Sequence, residues 1–295
     1  MERFKLTDDG VIDQEKEEAI ASSSRDNPNW NEYLDWHSQG TGPSFFEKCK
    51  HKLSYAVWGQ HKRLVELYSK KVHAGISRDS EFIKNDLKTG VLSSSDLQIL
   101  LDCVEKAPLM PRVASDHIPG YYFDKNFSKL EAGWAEHFRY FDLRGESESI
   151  QKVFLNLVPE IRACFGHDFR IVNFNCWGMQ PSSAGFGANA WHTDGFPPGI
   201  YKVLIYLTPP GRERGSSEVL LPDGSSKMVE GPAGTWVLFN ATTLYHRGVP
   251  AISGERTIMN VTVVPAFKGA MLPVFAGLNA NFPWFPWSVP LPSQL

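Results

Sequence analysis

The chain lacks any uninterrupted apolar run of the roughly 18 residues that a membrane-spanning helix needs, so no membrane span is expected. It also lacks an excess of either charge. The net charge is −3, which offers no global attraction to nucleic acid or to an anionic membrane, and no nucleic-acid partner is expected. Cysteine is sparse: Cys49, Cys103, Cys164 and Cys176 stand far apart and form no Cys-x-x-Cys pair. A zinc ribbon or a redox dithiol is therefore not encoded, and each thiol reads as a small buried apolar residue. The segment Met1 to Ile20 is rich in Asp and Glu and has no apolar core, unlike a secretory signal, and a cytoplasmic location is the expectation. There is no internal repeat and no Gly-x-Ser-x-Gly elbow of a serine hydrolase. Gly185-Phe186-Gly187 looks like a piece of a phosphate loop, but no Lys-Ser/Thr comes after it at the required spacing.

What is present is an ordinary globular composition over 295 residues, 42% hydrophobic and 21% charged, long enough to bury a core without staples. Residues 1–30 are polar and read as a flexible arm. Residues 31–167 read as a mainly helical portion that supports the C-terminal half of the chain. Lys52 to His73 has a helical pattern with Leu53, Val57, Leu64, Leu67 and Tyr68 as its stripe. Ser95 and Gln98 form a capping box ahead of Leu97, Leu100, Leu101 and Val104. A helix is expected from Ser147 to Phe165, with Ile150, Val153, Phe154 and Leu157 on one face and Gly166 as its stop. Gly120 to Leu143 reads as more extended.

After Asp168 the segments become short, β-branched and aromatic between glycines and prolines. Strands are expected at Phe169–Trp177, Ala188–Asp194, Lys202–Thr208, Glu218–Leu221, Lys227–Glu230, Thr235–Asn240, Thr243–Gly248 and Arg256–Val264. Eight short strands at close spacing predict an antiparallel barrel or jelly roll over residues 168–268. Residues 31–295 are expected to form one compact catalytic domain. From Gly269 to Leu295 the chain is uncharged, with Phe275, Phe282, Trp284, Phe285 and Trp287 among prolines. This aromatic tail is read as packing over the domain; a subunit interface or peripheral membrane contact are the alternatives.

Chemistry gathers around Trp191-His192-Thr193-Asp194-Gly195. Residues two apart on a strand share a face, so His192 and Asp194 would present an imidazole and a carboxylate side by side. Alone, a His-x-Asp pair is commonplace. It gains meaning from His246, in a later strand after the apolar run Trp236-Val237-Leu238-Phe239. Two imidazoles and one carboxylate make the facial triad of non-haem Fe(II) oxygenases, with open coordination positions. The same set could hold hydrolytic Zn²⁺. Arg256, opening the last strand, favours the oxygenase, because a guanidinium there can grip the far carboxylate of a dicarboxylic co-substrate. The remaining histidines, His37, His51, His61, His73, His117, His137 and His167, lack a second ligand at metal spacing and read as ordinary core or surface residues.

These pieces, with Lys202-Val203-Leu204-Ile205-Tyr206-Leu207-Thr208, Gly231 to Asn240, His246-Arg247-Gly248 and Gly254-Glu255-Arg256, resemble the Fe(II)/2-oxoglutarate-dependent dioxygenase superfamily, in its phytanoyl-CoA dioxygenase-like branch. The resemblance spans about residues 168 to 265. It implies a double-stranded β-helix core, mainly β with a helical N-terminal half packed on it. It implies iron on His192, Asp194 and His246, and 2-oxoglutarate on Arg256, with O₂ as the second co-substrate. A further polar partner for 2-oxoglutarate is expected among Asn173, Asn175, Tyr206 and Thr208. The implied reaction is hydroxylation of a C–H bond in a small molecule, sugar or lipid-linked headgroup, releasing succinate and CO₂. The halogenating variant replaces the carboxylate ligand by a small residue, whereas Asp194 is intact. The rival readings are a non-catalytic cupin-like metal binder or scaffold, and a protein- or nucleic-acid-directed oxygenase of the same superfamily. Homo-oligomerisation is left open.

Overall fold

The computed structural model describes residues 45–72, 78–109, 138–181, 191, 193–194, 197 and 199–267. The expected polar arm, His192, the strand residues 188–190 and the aromatic tail at 269–295 lie outside the described residues. So does most of the stretch from Gly120 to Leu143.

The described elements run α1 (Phe45–Val72), α2 (Ser80–Asn85), β1 (Leu87–Val91), α3 (Ser94–Lys106), β2 (Phe138–Tyr140), α4 (Ser147–Phe165), β3 (Asp168–Met179), β4 (Tyr201–Tyr206), β5 (Ser216–Leu220), β6 (Ser226–Met228), β7 (Thr235–Phe239), β8 (His246–Val249) and β9 (Arg256–Ala266). The strands form two antiparallel sheets. The large one has the order β1-β7-β4-β9-β3-β2, and the small one β6-β5-β8.

Strand β4 is apolar on both faces because both are covered. Tyr201, Val203 and Ile205 pack toward Phe154, Ile161 and Phe165 of α4 in one core. Leu204 and Tyr206 pack toward Val219, Val229 and Leu244 in a second core, between the sheets. The result is a β-sandwich with a helical layer on the outside of its larger sheet. Helix α4 matches its expected bounds: Ile150, Val153, Phe154 and Leu157 are buried, and Gly166 closes the helix at φ 68°, a conformation that suits glycine.

Several expectations are corrected. The cap of α3 is Ser93, whose Oγ accepts from the Asp96 backbone N–H, while Gln98 bonds Asp102 one turn on. In α1 the expected stripe faces outward: Leu53 is 56% exposed and Leu64 54%, and Leu67 and Tyr68 are exposed too. The buried face is Ser54, Trp58, Val65 and Ser69, which keeps helical spacing but uses one indole and two small hydroxyls. The N-terminal portion is not helical alone, since β1 pairs with β7 and β2 with β3. Cys49 is exposed, while the other three cysteines are buried as expected. Burial raises the Cys103 thiol to about 11 and the Cys164 thiol to about 12, so neither is a reactive thiolate. Of Ala188–Asp194, the described Trp191, Thr193 and Asp194 belong to no strand. Pro197 and Pro198 come close behind and have no N–H for a ladder. Among the described residues, no helix is long and apolar enough to cross a membrane.

Candidate metal and co-substrate site

Asp194 is fastened by its backbone, which donates to the Ala241 carbonyl just beyond β7 at 2.9 Å. His246 opens β8. Its ring meets the edge of Phe239, with centroids 4.9 Å apart. The His246 Nδ1 lies 3.1 Å from the Leu244 carbonyl, which can only accept, so the proton belongs on Nδ1. Its Nε2 faces Asp194 Oδ1 at 3.6 Å. Both side chains are deeply buried.

Two residues that sequence reasoning passed over complete the surroundings. Lys202 Nζ lies 2.5 Å from Asp194 Oδ2. Arg247, next to His246, places both Nε (2.9 Å) and Nη2 (2.7 Å) on Glu218 Oε2, and its guanidinium stacks 4.8 Å above the Trp191 ring. That stack ties the Trp191-to-Asp194 segment to β8. A signal for Lys202 was present: in Lys202-Val203-Leu204-Ile205-Tyr206 the lysine alternates onto the face of Tyr206, toward the inside of the sandwich.

Arg256 is buried at the start of β9. Its Nη1 donates to the carbonyls of Ser216 (2.5 Å) and Val249 (2.9 Å), and Nη2 lies 3.1 Å from Met179 Sδ. No hydrogen-bond partner meets its Nε, and no carboxylate pairs with it among the described residues. Burial pulls the guanidinium below its ordinary pKa, and nearby Tyr206 opposes this. Tyr206 is fully buried near Ser216 and Ser217, and burial raises its phenol well above the ordinary value.

The remaining candidates sit within the sheet. Thr208 Oγ1 accepts from the Thr257 backbone N–H at 3.0 Å. Asn175 Oδ1 accepts from Asn260 at 3.1 Å, on neighbouring strands. Asn173 lies in β3 opposite Thr262 in register. The structure thus brings Asp194 and His246 together and sets Arg256 beside Tyr206; His192 precedes Asp194 by two residues, outside the described set.

No protein-family model and no curated protein sequence matches the chain. Among solved structures, it is similar to HygX from Streptomyces hygroscopicus with nickel, 2-oxoglutarate and hygromycin B bound. The identity is 15% and the TM-score 0.43, over 66% of this chain and 89% of that one. It is similar to SnoN, a non-haem α-ketoglutarate-dependent epimerase from nogalamycin biosynthesis, at 13% identity and TM-score 0.45, over 68% and 84%. It is also similar to the nickel complex of ThoJ, a non-haem monooxygenase, at 14% identity and TM-score 0.43, over 68% and 85%.

Proposed function

We propose that this chain is an Fe(II)- and 2-oxoglutarate-dependent oxygenase with a double-stranded β-helix core, hydroxylating a small molecule, sugar or lipid-linked headgroup. One observation carries the reading: Nε2 of the buried His246 ring is aimed at a carboxylate oxygen of the buried Asp194 side chain across 3.6 Å. With His192 added, the donor set is two imidazoles and one carboxylate, which suits Fe(II) and leaves three positions open. Arg256 fits an anionic co-substrate, being a buried cation whose Nε has no partner and which no described carboxylate neutralises.

Fe(II) and 2-oxoglutarate, when bound, supply the oxidising chemistry, in which one oxygen atom of O₂ enters the substrate and the other enters succinate as CO₂ leaves. The chain's own residues do the rest. Leu244 holds the His246 ring by its Nδ1–H, and Phe239 packs against that ring. Arg256 would fix the far end of the dicarboxylate by charge-assisted hydrogen bonds, with Tyr206 as the polar partner beside it. Tyr206 stands better for that role than Thr208 or Asn175, whose side-chain oxygens already accept within the sheet.

The test is succinate release with added Fe(II) and 2-oxoglutarate over a panel of candidate substrates. A hydroxylated product is one oxygen atom heavier than its substrate. His246→Ala removes one of three protein ligands and should abolish both succinate release and Fe(II) binding. Succinate release at the wild-type rate in that variant would sink the metal reading.

A further inference from the structure

We propose that Lys202 is a positioning residue that holds Asp194 as a ligand through one oxygen only, keeping a coordination position free for exogenous molecules. This rests on the metal reading above.

Lys202 stands on the inward face of β4, in register with Phe239 on β7 and Thr262 on β9. A lysine there is unusual, because an ammonium is costly to withdraw from water unless it is paired. Its side chain is 18% exposed and that of Asp194 9%. The geometry divides the carboxylate between two partners. Oδ2 takes the ammonium at 2.5 Å, and Oδ1 turns to His246 Nε2. Asp194 sits in no strand; its backbone is held by the Ala241 carbonyl, and its carboxylate is oriented by the groups that meet it. A carboxylate free to turn can give both oxygens to one metal ion. That would take up one of the three positions which a facial triad leaves for a chelating co-substrate and O₂. An ammonium on Oδ2 forbids it. A backbone amide would have offered one hydrogen bond; a lysine adds charge and three donors.

The experiment uses the full chain, with Co(II) as the probe in place of iron. Lys202→Met should weaken Co(II) binding by about 10-fold or more, the usual cost of losing a partner that orients a ligand. It should also change the visible absorption of the bound Co(II), as the carboxylate shifts to two-oxygen ligation. Lys202→Arg keeps a cation on Oδ2 and should retain the wild-type spectrum. If Lys202→Met binds Co(II) with wild-type affinity and spectrum, and only its melting temperature moves, Lys202 is a plain ion-pair partner and the proposal is overturned. Should the methionine variant fail to fold, Lys202→Leu, which also has no donor, carries the same spectral test, and an unaltered spectrum in it also overturns the proposal. His246→Ala separates the two levels. Wild-type Co(II) binding that ignores this substitution removes the metal reading itself; binding that depends on His246 but not on residue 202 removes only the role of Lys202.

Discussion

The two faces of the large sheet are built from the same strands and obey different rules. On the face toward the helices, alternate residues are apolar almost throughout: Phe169, Ile171, Val203, Ile205, Trp236 and Val261 share one core with α3 and α4. On the face toward the small sheet, apolar neighbours are interleaved with Lys202, Tyr206, Arg256, Asn260 and Thr262. Every one of those polar groups costs desolvation and must be compensated by a partner or a ligand. The outer face therefore carries stability, and on the proposed function the inner face gives up stability to carry chemistry. Strand alternation lets one segment do both, since adjacent residues answer to different demands.

The largest effect expected from breaking this division is on the outer face. Trp236 is fully buried and stands opposite Gly90 of β1, where a Cβ would come within 2.3 Å of the indole. The ring fills space that only glycine leaves. Trp236→Ala should cost about 3–5 kcal/mol, measured by chemical denaturation. Co(II) affinity of the folded fraction should stay at the wild-type level. A variant that loses metal binding while keeping its stability would erase the distinction between the faces.

On the inner face the outcome should reverse. Arg256→Met removes a buried cation that no described carboxylate pairs but leaves the Ser216 and Val249 carbonyls without the donor they meet, two opposing effects, so the melting temperature should change little. The same change deletes the charge-assisted partner of the dicarboxylate, a loss of about 1.5–3 kcal/mol, or roughly 10- to 100-fold in 2-oxoglutarate affinity. Titration calorimetry alongside thermal melts reads both quantities. A fall in melting temperature with unchanged 2-oxoglutarate binding would make Arg256 a structural residue.

Much of the outer face was legible in the sequence. Short apolar runs such as Val203-Leu204-Ile205 and Trp236-Val237-Leu238-Phe239, rich in β-branched and aromatic residues and set between glycines and prolines, read as strands covered on both sides. The stripe and glycine stop of α4 come from the helical period. The edge strand β1 was not legible, unlike the edges β6 and β8 of the small sheet, which overlap expected strands. The sequence of β1, Leu87-Lys88-Thr89-Gly90-Val91, has weak alternation because only one side of it needs a partner. The buried face of α1 was also hidden. Its leucines are exposed while two serines are buried, and what selects the face is the fit to the end of β9, where His61 meets the Pro265 carbonyl and Phe267 edge to face. In the site, the proposed ligands and Arg256 were singled out by residue type and order. Alternation puts Lys202 on the inner face, but its partner and that of Arg247 could not be read, because those contacts join separate segments.

The smallest effect expected concerns the seam where the outer face begins. His167 lies just before β3, stacked against Phe165 of α4 and with Nδ1 2.8 Å from the Asp168 carbonyl. Burial lowers its pKa below the ordinary 6.5, outweighing the Asp168 carbonyl and the charge of Glu66, which favour the proton; Lys62 and Arg78 oppose it. His61, against the end of β9, is lowered for the same reason. Above about pH 6.5 both rings are neutral in folded and unfolded chains alike, and they contribute no pH dependence. Below it the unfolded chain takes up protons that the folded chain resists, so stability falls as the pH drops from 6.5 toward the lowered folded value. Each ring limits the slope to at most about 1.4 kcal/mol per pH unit. His167→Gln cannot titrate and should flatten the acid side of the stability curve between pH 6.5 and 5, with the inner-face Co(II) spectrum at pH 7 unchanged. An equally steep curve in the variant would assign the acid sensitivity to other groups.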